Sequence, residues 1–290
     1  MGSTSRRRTP SSAHGRTASS SPSPTPTHAQ LITRCVHQDI PAFCEKPMDS
    51  TIPTTAAIVQ LVERSDVPVS IGFQRRRDSR YLALREAMRS GELSALFLAR
   101  MVVGDETPPP APEYLAVSGG IANDQSVHDF DVLRFLTDAE IVEICSTGAR
   151  LSGAPGFAEA NDFDHAATMM RLSNGALAVL TSSRNSAPGY DVHVELTGSL
   201  RTLGVGCESS TVLEEGSLWT AHSPYRSGFI HAFAEAYRQE MAEFLDVVER
   251  EGSPSCTPRD ALAAAITVEA AQRSQRSGGW VRVADTSEVF

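Results

Sequence analysis

Lysine is almost missing from this 290-residue chain: of its 26 basic residues, 25 are arginine and the remaining one is Lys46. Long apolar runs are missing as well. The most tempting, Ala261 to Val268, is closed by Glu269, far short of the roughly 20 residues that cross a bilayer, so no segment is read as membrane-spanning. There is no Cys-x-x-Cys pair. The five cysteines (Cys35, Cys44, Cys145, Cys207, Cys256) are odd in number and scattered, which excludes a zinc framework and a disulfide scaffold and fits thiols in a reducing cytoplasm. P-loop and Gly-x-Ser-x-Gly signatures are absent. The nearest approach to Gly-x-Gly-x-x-Gly, Gly204-Val205-Gly206, falls between predicted strands and not at a strand-to-helix turn. No basic stripe with interleaved aromatics exists either. The net charge is -9, and without the four arginines of the first 28 residues the remainder stands at -13. A body that acidic repels phosphate backbones, so nucleic acid is not an expected partner.

What is present is the composition of a globular protein, 41% hydrophobic and 21% charged. Residues 1–24 are rich in Ser, Pro, Thr and Arg and contain no Leu, Ile, Val or Phe. They cannot bury enough apolar surface to offset ordering, and they are read as a disordered tail. From Thr25 the pattern is β-α-β: a helix over Ala29 to His37, a short strand Pro41 to Cys44, a helix Thr54 to Arg64 and a strand Val67 to Phe73, as in a parallel sheet. A helix follows from Arg80 to Ser90. Beyond Leu96 come six predicted strands, with tight hairpins at Asn174-Gly175 and Gly198-Ser199, and then helices at Ala232 to Arg250 and Pro258 to Arg276. The fold class expected is α/β: a partial Rossmann domain (25–95) with a parallel sheet, then an α+β domain (96–290) with a large, mostly antiparallel open sheet.

Two segments could carry chemistry. Glu45-Lys46-Pro47 directly follows a predicted strand, and open α/β sheets gather ligands beyond the carboxyl ends of their strands. Arginine holds its proton near neutral pH whereas lysine can release one, so a sole lysine there is a candidate for proton chemistry. An ordinary solvated turn, in a chain whose arginine excess reflects GC-rich coding, is the alternative. The second segment, residues 119–138, opens with two glycines and reads as a helix. Asp124, His128 and Asp131 fall at i, i+4 and i+7, on one stripe. The imidazole can move a proton on and off a hydroxyl. A surface salt bridge or an Asp/His/Asp metal site competes with that reading, although no second histidine stands at useful spacing and no metal is expected.

Together these segments resemble the glucose-fructose oxidoreductase / inositol dehydrogenase (Gfo/Idh/MocA) family. The matching stretches are Thr25-Pro26-Thr27-His28, Glu45-Lys46-Pro47, Ile71-Gly72-Phe73-Gln74-Arg75-Arg76-Arg77-Asp78, and Gly119-Gly120 leading to Asp124, His128 and Asp131. The segment PPPAPEYLAVSGG is most similar to the inositol 2-dehydrogenase branch. The resemblance implies a dehydrogenase that moves hydride between a cyclic polyol or sugar and NAD or NADP. It implies Lys46, Asp124 and His128 as catalytic residues and Thr25, His28, Glu45 and Lys46 along the cofactor. Arg76 and Tyr190 are implied on the substrate, and a homo-oligomer through the C-terminal sheet; Asp131 also matches the family's motif, with helix packing or capping as an equal alternative. It also implies that the first half of the Rossmann domain, with its glycine turn, would precede Thr25. Residues 1–24 stand there instead, and are expected to come from a shifted reading frame or misplaced start. A non-catalytic remnant that binds polyol, or pairs with an intact homologue, is the second reading.

Overall fold

The computed structural model describes residues 19–21, 25–106, 109–186, 189–206, 228–250 and 252–290. Its first sheet is parallel, in the order β1 (Ser19–Ser21), β2 (Ala42–Glu45), β3 (Val69–Gly72). Helices α1 (Thr25–His37) and α2 (Ile52–Glu63) make the crossovers. Strands β2 and β3 are buried almost throughout, which is why both read as short, largely apolar runs. Ser19–Ser21 corrects the expectation of a tail disordered to residue 24. The three residues pair in register with Ala42, Phe43 and Cys44, and strand pairing requires only backbone groups. The rest of the expected tail lies outside the described residues.

After β3 the chain makes a 3-10 turn, Gln74–Arg77, and enters α3 (Ser79–Arg89), capped by the Asp78 carboxylate on the Arg80 amide. Strand β4 (Leu96–Glu106) opens the second sheet, and α4 (Pro112–Ser118) follows it. A π-helical turn, Ala122–Ser126, then runs straight into α5 (Val127–Thr137). Strands β5 (Ile141–Ala149), β6 (His165–Leu172), β7 (Leu177–Ser186), β8 (Asp191–Gly198) and β9 (Thr202–Val205) come next. The short α6 (Gly228–Ala232), α7 (Ala234–Arg250), α8 (Pro258–Ser277) and β10 (Val281–Arg282) complete the order.

The second sheet has seven strands in the order β10-β5-β6-β7-β4-β8-β9, antiparallel except for the β4–β7 pair. Burial alternates along β6 and β7, as expected of a sheet with one face covered. Met170, Leu172, Ala178 and Leu180 point inward, while Met169, Leu177 and Val179 are exposed. The covering helices are α5 and α8, and α8 touches both sheets. Its start is fixed by a reciprocal capping box between Thr257 and Asp260, with a proline in the first turn. Its small side chains, Ala261, Ala264, Ala270 and Ala271, are all buried. They let the helix sit close against its neighbours, so one continuous apolar core joins the two sheets. No helix among the described residues is long and apolar enough to cross a membrane.

Candidate active site

The carboxyl end of β2 delivers Glu45 and Lys46 to the line where the two halves of the chain meet. A groove of about 940 Å³ lies on one side of Lys46, between the Pro47–Pro53 loop, α4 and the Ala265–Gln272 face of α8. A second cavity of about 420 Å³ lies on the other. Lys46, Tyr114 and Asp124 line both. Lys46 is thus no ordinary solvated turn residue: its side chain is 17% exposed, and Nζ donates to the Asp124 carbonyl at 2.8 Å and stands 3.8 Å from Oδ1 of the Asp124 carboxylate. Burial pulls its pKa down, while the charges of Asp124 and Glu45 partly restore it. The Lys46–Pro47 peptide is cis, and His28 Nδ1 donates to the Pro47 carbonyl at 2.8 Å.

Asp124 is held from three sides. The Tyr114 hydroxyl donates to Oδ1 at 2.7 Å and Arg184 Nη1 donates to Oδ2 at 2.9 Å, with Lys46 on the third side. Arg184 is completely buried, and its Nη2 also lies 3.3 Å from both Ser118 Oγ and Asp162 Oδ2. Asp162 in turn accepts from the Ile121 amide at 2.7 Å. The guanidinium therefore ties the carboxylate to the start of its own helix. Arg184 reaches this position at an irregularity in the β4–β7 ladder, where register shifts between Gly104 and Glu106; such shifts re-aim side chains.

One turn on, His128 borders the smaller cavity, edge-on to the Phe73 ring with centroids 5.7 Å apart. Its Nδ1 is buried without a hydrogen-bond partner among the described residues. Burial and the charges of Lys46 and Arg75 push its pKa well down, so the ring is neutral and can accept a proton. Glu45 borders the same cavity, and burial raises its carboxyl against the opposing pull of Lys46 and His28.

The structure thus brings together Glu45, Lys46, Asp124, His128 and Tyr190 around the smaller cavity. His28 stands behind the Pro47 turn, 2% exposed. Thr25 opens α1, and the placement of its side chain lies outside the described residues. Two expectations need correction. Arg76 does not reach the cavity: it is buried against Asp131 through bonds of 2.8 and 2.6 Å, with Asp260 at 3.1 Å. Its neighbour Arg75 lines the cavity instead, braced from behind by Asp129 at 2.7 Å. Asp131, fully buried on that ion pair, consequently leaves the stripe expected to join it to Asp124 and His128. Arg75, Asp105, Tyr114, Gln125 and Arg184 were not singled out from the sequence. Arg75 stood inside the Ile71–Asp78 stretch and Tyr114 inside PPPAPEYLAVSGG, whereas Asp105, Gln125 and Arg184 carried no local signal. Among the described residues, no group of three or more His, Cys, Asp or Glu side chains is placed to hold a metal ion.

A cation beside a fixed carboxylate and a neutral imidazole, where a small cavity opens into a larger groove, suits the reactive end of a nicotinamide nucleotide and an alcohol beside it. The chain has no Gly-x-Gly-x-x-Gly turn to cradle a pyrophosphate, so the fit is to the nicotinamide end.

Comparison with known proteins agrees. Residues 81–203 match the GFO/IDH/MocA C-terminal domain. The chain is 36% identical over 258 residues to the myo-inositol dehydrogenase Hyg17 of Streptomyces leeuwenhoekii, covering 88% of this chain and 77% of that one. It is 30% identical over 253 residues to the myo-inositol 2-dehydrogenase of Thermotoga maritima, covering 87% and 75%. Among solved structures, a scyllo-inositol dehydrogenase from Lactobacillus casei with bound NAD(H) and scyllo-inositol superposes with a TM-score of 0.79 at 25% identity, covering 91% and 79%. A probable dehydrogenase from Thermotoga maritima gives 0.84 at 29% identity, covering 92% and 80%. With its two sheets, its Glu45-Lys46-Pro47 turn and its Asp124–His128 helix, the chain belongs to the Gfo/Idh/MocA family.

Proposed function

We propose that this chain is an oxidoreductase of the inositol 2-dehydrogenase type, which oxidises one ring hydroxyl of a cyclic polyol with NAD or NADP as partner. The observation that carries the reading is the meeting of Lys46, Asp124 and His128 where the two cavities join. The relatives named above support the substrate class and the cofactor. Residues 25–95 then serve the cofactor and residues 96–290 the substrate. The exposed Met169, Leu177 and Val179 of the second sheet support pairing between copies of the chain.

In this reading the polyol lies in the smaller cavity with its reacting hydroxyl between Lys46 and His128. Neutral His128 accepts the hydroxyl proton. The Lys46 ammonium stabilises the alkoxide charge that develops, and Asp124 keeps that ammonium charged and aimed. Glu45 and Lys46 would line the nicotinamide end of the cofactor, which when bound supplies the hydride acceptor, and His28 holds the Pro47 turn behind them. Tyr190 and Arg75 border the substrate. A non-catalytic polyol-binding remnant draws no support from the comparisons, because the relatives named above are dehydrogenases over most of the chain.

The test is the rate of NADH or NADPH formation with myo- and scyllo-inositol, for wild type and His128→Asn. The variant should lose about 10²-fold or more in kcat with a smaller change in KM, because the proton moves only on the way to the transition state. A normal kcat with a raised KM would demote His128 to a binding residue. Failure of the wild type to oxidise any polyol with either cofactor would refute the activity.

A further inference from the structure

The smaller cavity contains a carboxylate that the proposed chemistry does not use. Asp105 lies at the end of β4, in the stretch where register against β7 shifts, and borders this cavity but not the larger groove. Of the charged side chains lining the cavity among the described residues, three are carboxylates (Glu45, Asp105, Asp124) and two are cations (Lys46, Arg75). Both cations are committed: Lys46 to Asp124, and Arg75 to Asp129 behind the wall. Arg184, the other cation near Asp105, is committed to Asp124 and Asp162. Glu45 has Lys46 beside it in the chain. Asp105 accepts a hydrogen bond from the Gln125 side chain and feels the charges of Arg184 and Arg75, against burial and the repulsion of nearby Asp124; among the described residues no cation stands within ion-pair distance of it.

Resting on the polyol reading above, we propose that the preferred substrate is an amino-substituted cyclic polyol, and that Asp105 is the specificity-determining residue that holds its ammonium group. A neutral polyol could donate hydroxyls to Asp105 but would leave the negative excess of the cavity uncompensated. An ammonium group answers that excess with a charge-assisted hydrogen bond, stronger than its neutral counterpart. The rings of Tyr190, Tyr237 and Phe229 border the same cavity, and aromatic faces attract ammonium ions. Burial raises the Asp105 carboxyl, and a cation held against it would favour the charged carboxylate. The reacting end of the cavity, at Lys46 and His128, is unchanged by this assignment.

The test is a matched pair, myo-inositol and an amino-deoxy-inositol, titrated calorimetrically into the full chain with and without NADH, and then assayed for turnover. The amino compound should bind tighter by about 10- to 100-fold, the range of a hydrogen bond to a charged group, and kcat/KM should follow. In Asp105→Asn, which keeps the shape and removes the charge, the ratio between the two ligands should collapse towards one. Equal or tighter binding of myo-inositol by the wild type overturns the proposal without any variant. So does a preference that survives in Asp105→Asn. Binding of neither ligand defeats the polyol reading itself, whereas binding of myo-inositol alone defeats only the amine.

Discussion

Arg184→Met would test whether the site is held by its buried guanidinium. The side chain is completely buried and touches Asp124, Asp162 and Ser118 together. Removing one partner from a buried ion pair leaves an uncompensated charge and costs about 3–5 kcal/mol. Asp162 retains the Ile121 and Phe163 amides, and Asp124 retains the Tyr114 hydroxyl, so the lower end of that range applies. For a domain of this size each kcal/mol moves the melting temperature by about 2–4 °C, which gives a fall of about 6–12 °C. The catalytic effect has a separate origin. An Asp124 carboxylate that has lost its Arg184 anchor no longer holds Lys46 in place, and a misplacement of about 1 Å costs on the order of 10²-fold in rate. Arg184→Lys keeps the charge but not the planar fork, and it should recover stability more fully than turnover. Calorimetric melting and saturating-substrate rates on the three proteins separate the two effects. A methionine variant that melts within 2 °C of wild type (roughly one kcal/mol or less) and retains a third of its kcat would refute the reasoning.

Lys46→Arg should leave the melting temperature within a few degrees of wild type yet lower turnover by about 10²-fold or more, the scale of losing a group that handles charge at the reacting hydroxyl. Retention of more than about a tenth of the activity would contradict the role given to Lys46. Glu240 on α7 is buried, and desolvation together with the Glu45 charge pushes its carboxyl up to about 8 against the pull of Arg77. The folded chain therefore binds this proton more tightly than the unfolded chain. The stability it contributes is complete below the ordinary carboxyl range and is lost as pH rises through about 8. Glu240→Gln should accordingly melt with a flatter pH dependence between pH 5 and 9, and parallel profiles for the two proteins would rule the assignment out.

The elements built from apolar periodicity were legible in the sequence, because period and burial are the same fact stated in one and three dimensions. That reasoning recovered the strands of both sheets except β1, which is three serines, and the short β10. The site was legible where chemistry coincided with a local pattern: the sole lysine after a strand, and the Asp124–His128 spacing on a helix. It was not legible where tertiary register decides. Arg75 and Arg76 are adjacent in a run of three arginines, and only the 3-10 turn, which rotates successive residues by about 120°, sends one to the cavity and the other to Asp131. Arg184, Asp105 and Tyr114 come from β7, β4 and α4. Their meeting with Asp124 depends on how β4 pairs with β7, which no window of sequence encodes.

The π-helical turn at Ala122–Ser126 has a consequence for how this segment tolerates change. Downstream, Asp129 on Arg75 and Asp131 on Arg76 pin the angular setting of α5 to the parallel-sheet half of the molecule. Upstream, Asp124 must face Lys46, Tyr114 and Arg184. The wide turn reconciles two azimuths that a uniform α-helix would not deliver together. Deleting one residue there would restore regular hydrogen bonding and leave the lower half anchored, but it would swing Asp124 by about 100°. The chain would keep its core and lose its site. The length of residues 119–126 is therefore constrained as strictly as the identity of Asp124, and exchange of this stretch should succeed only between segments of equal length.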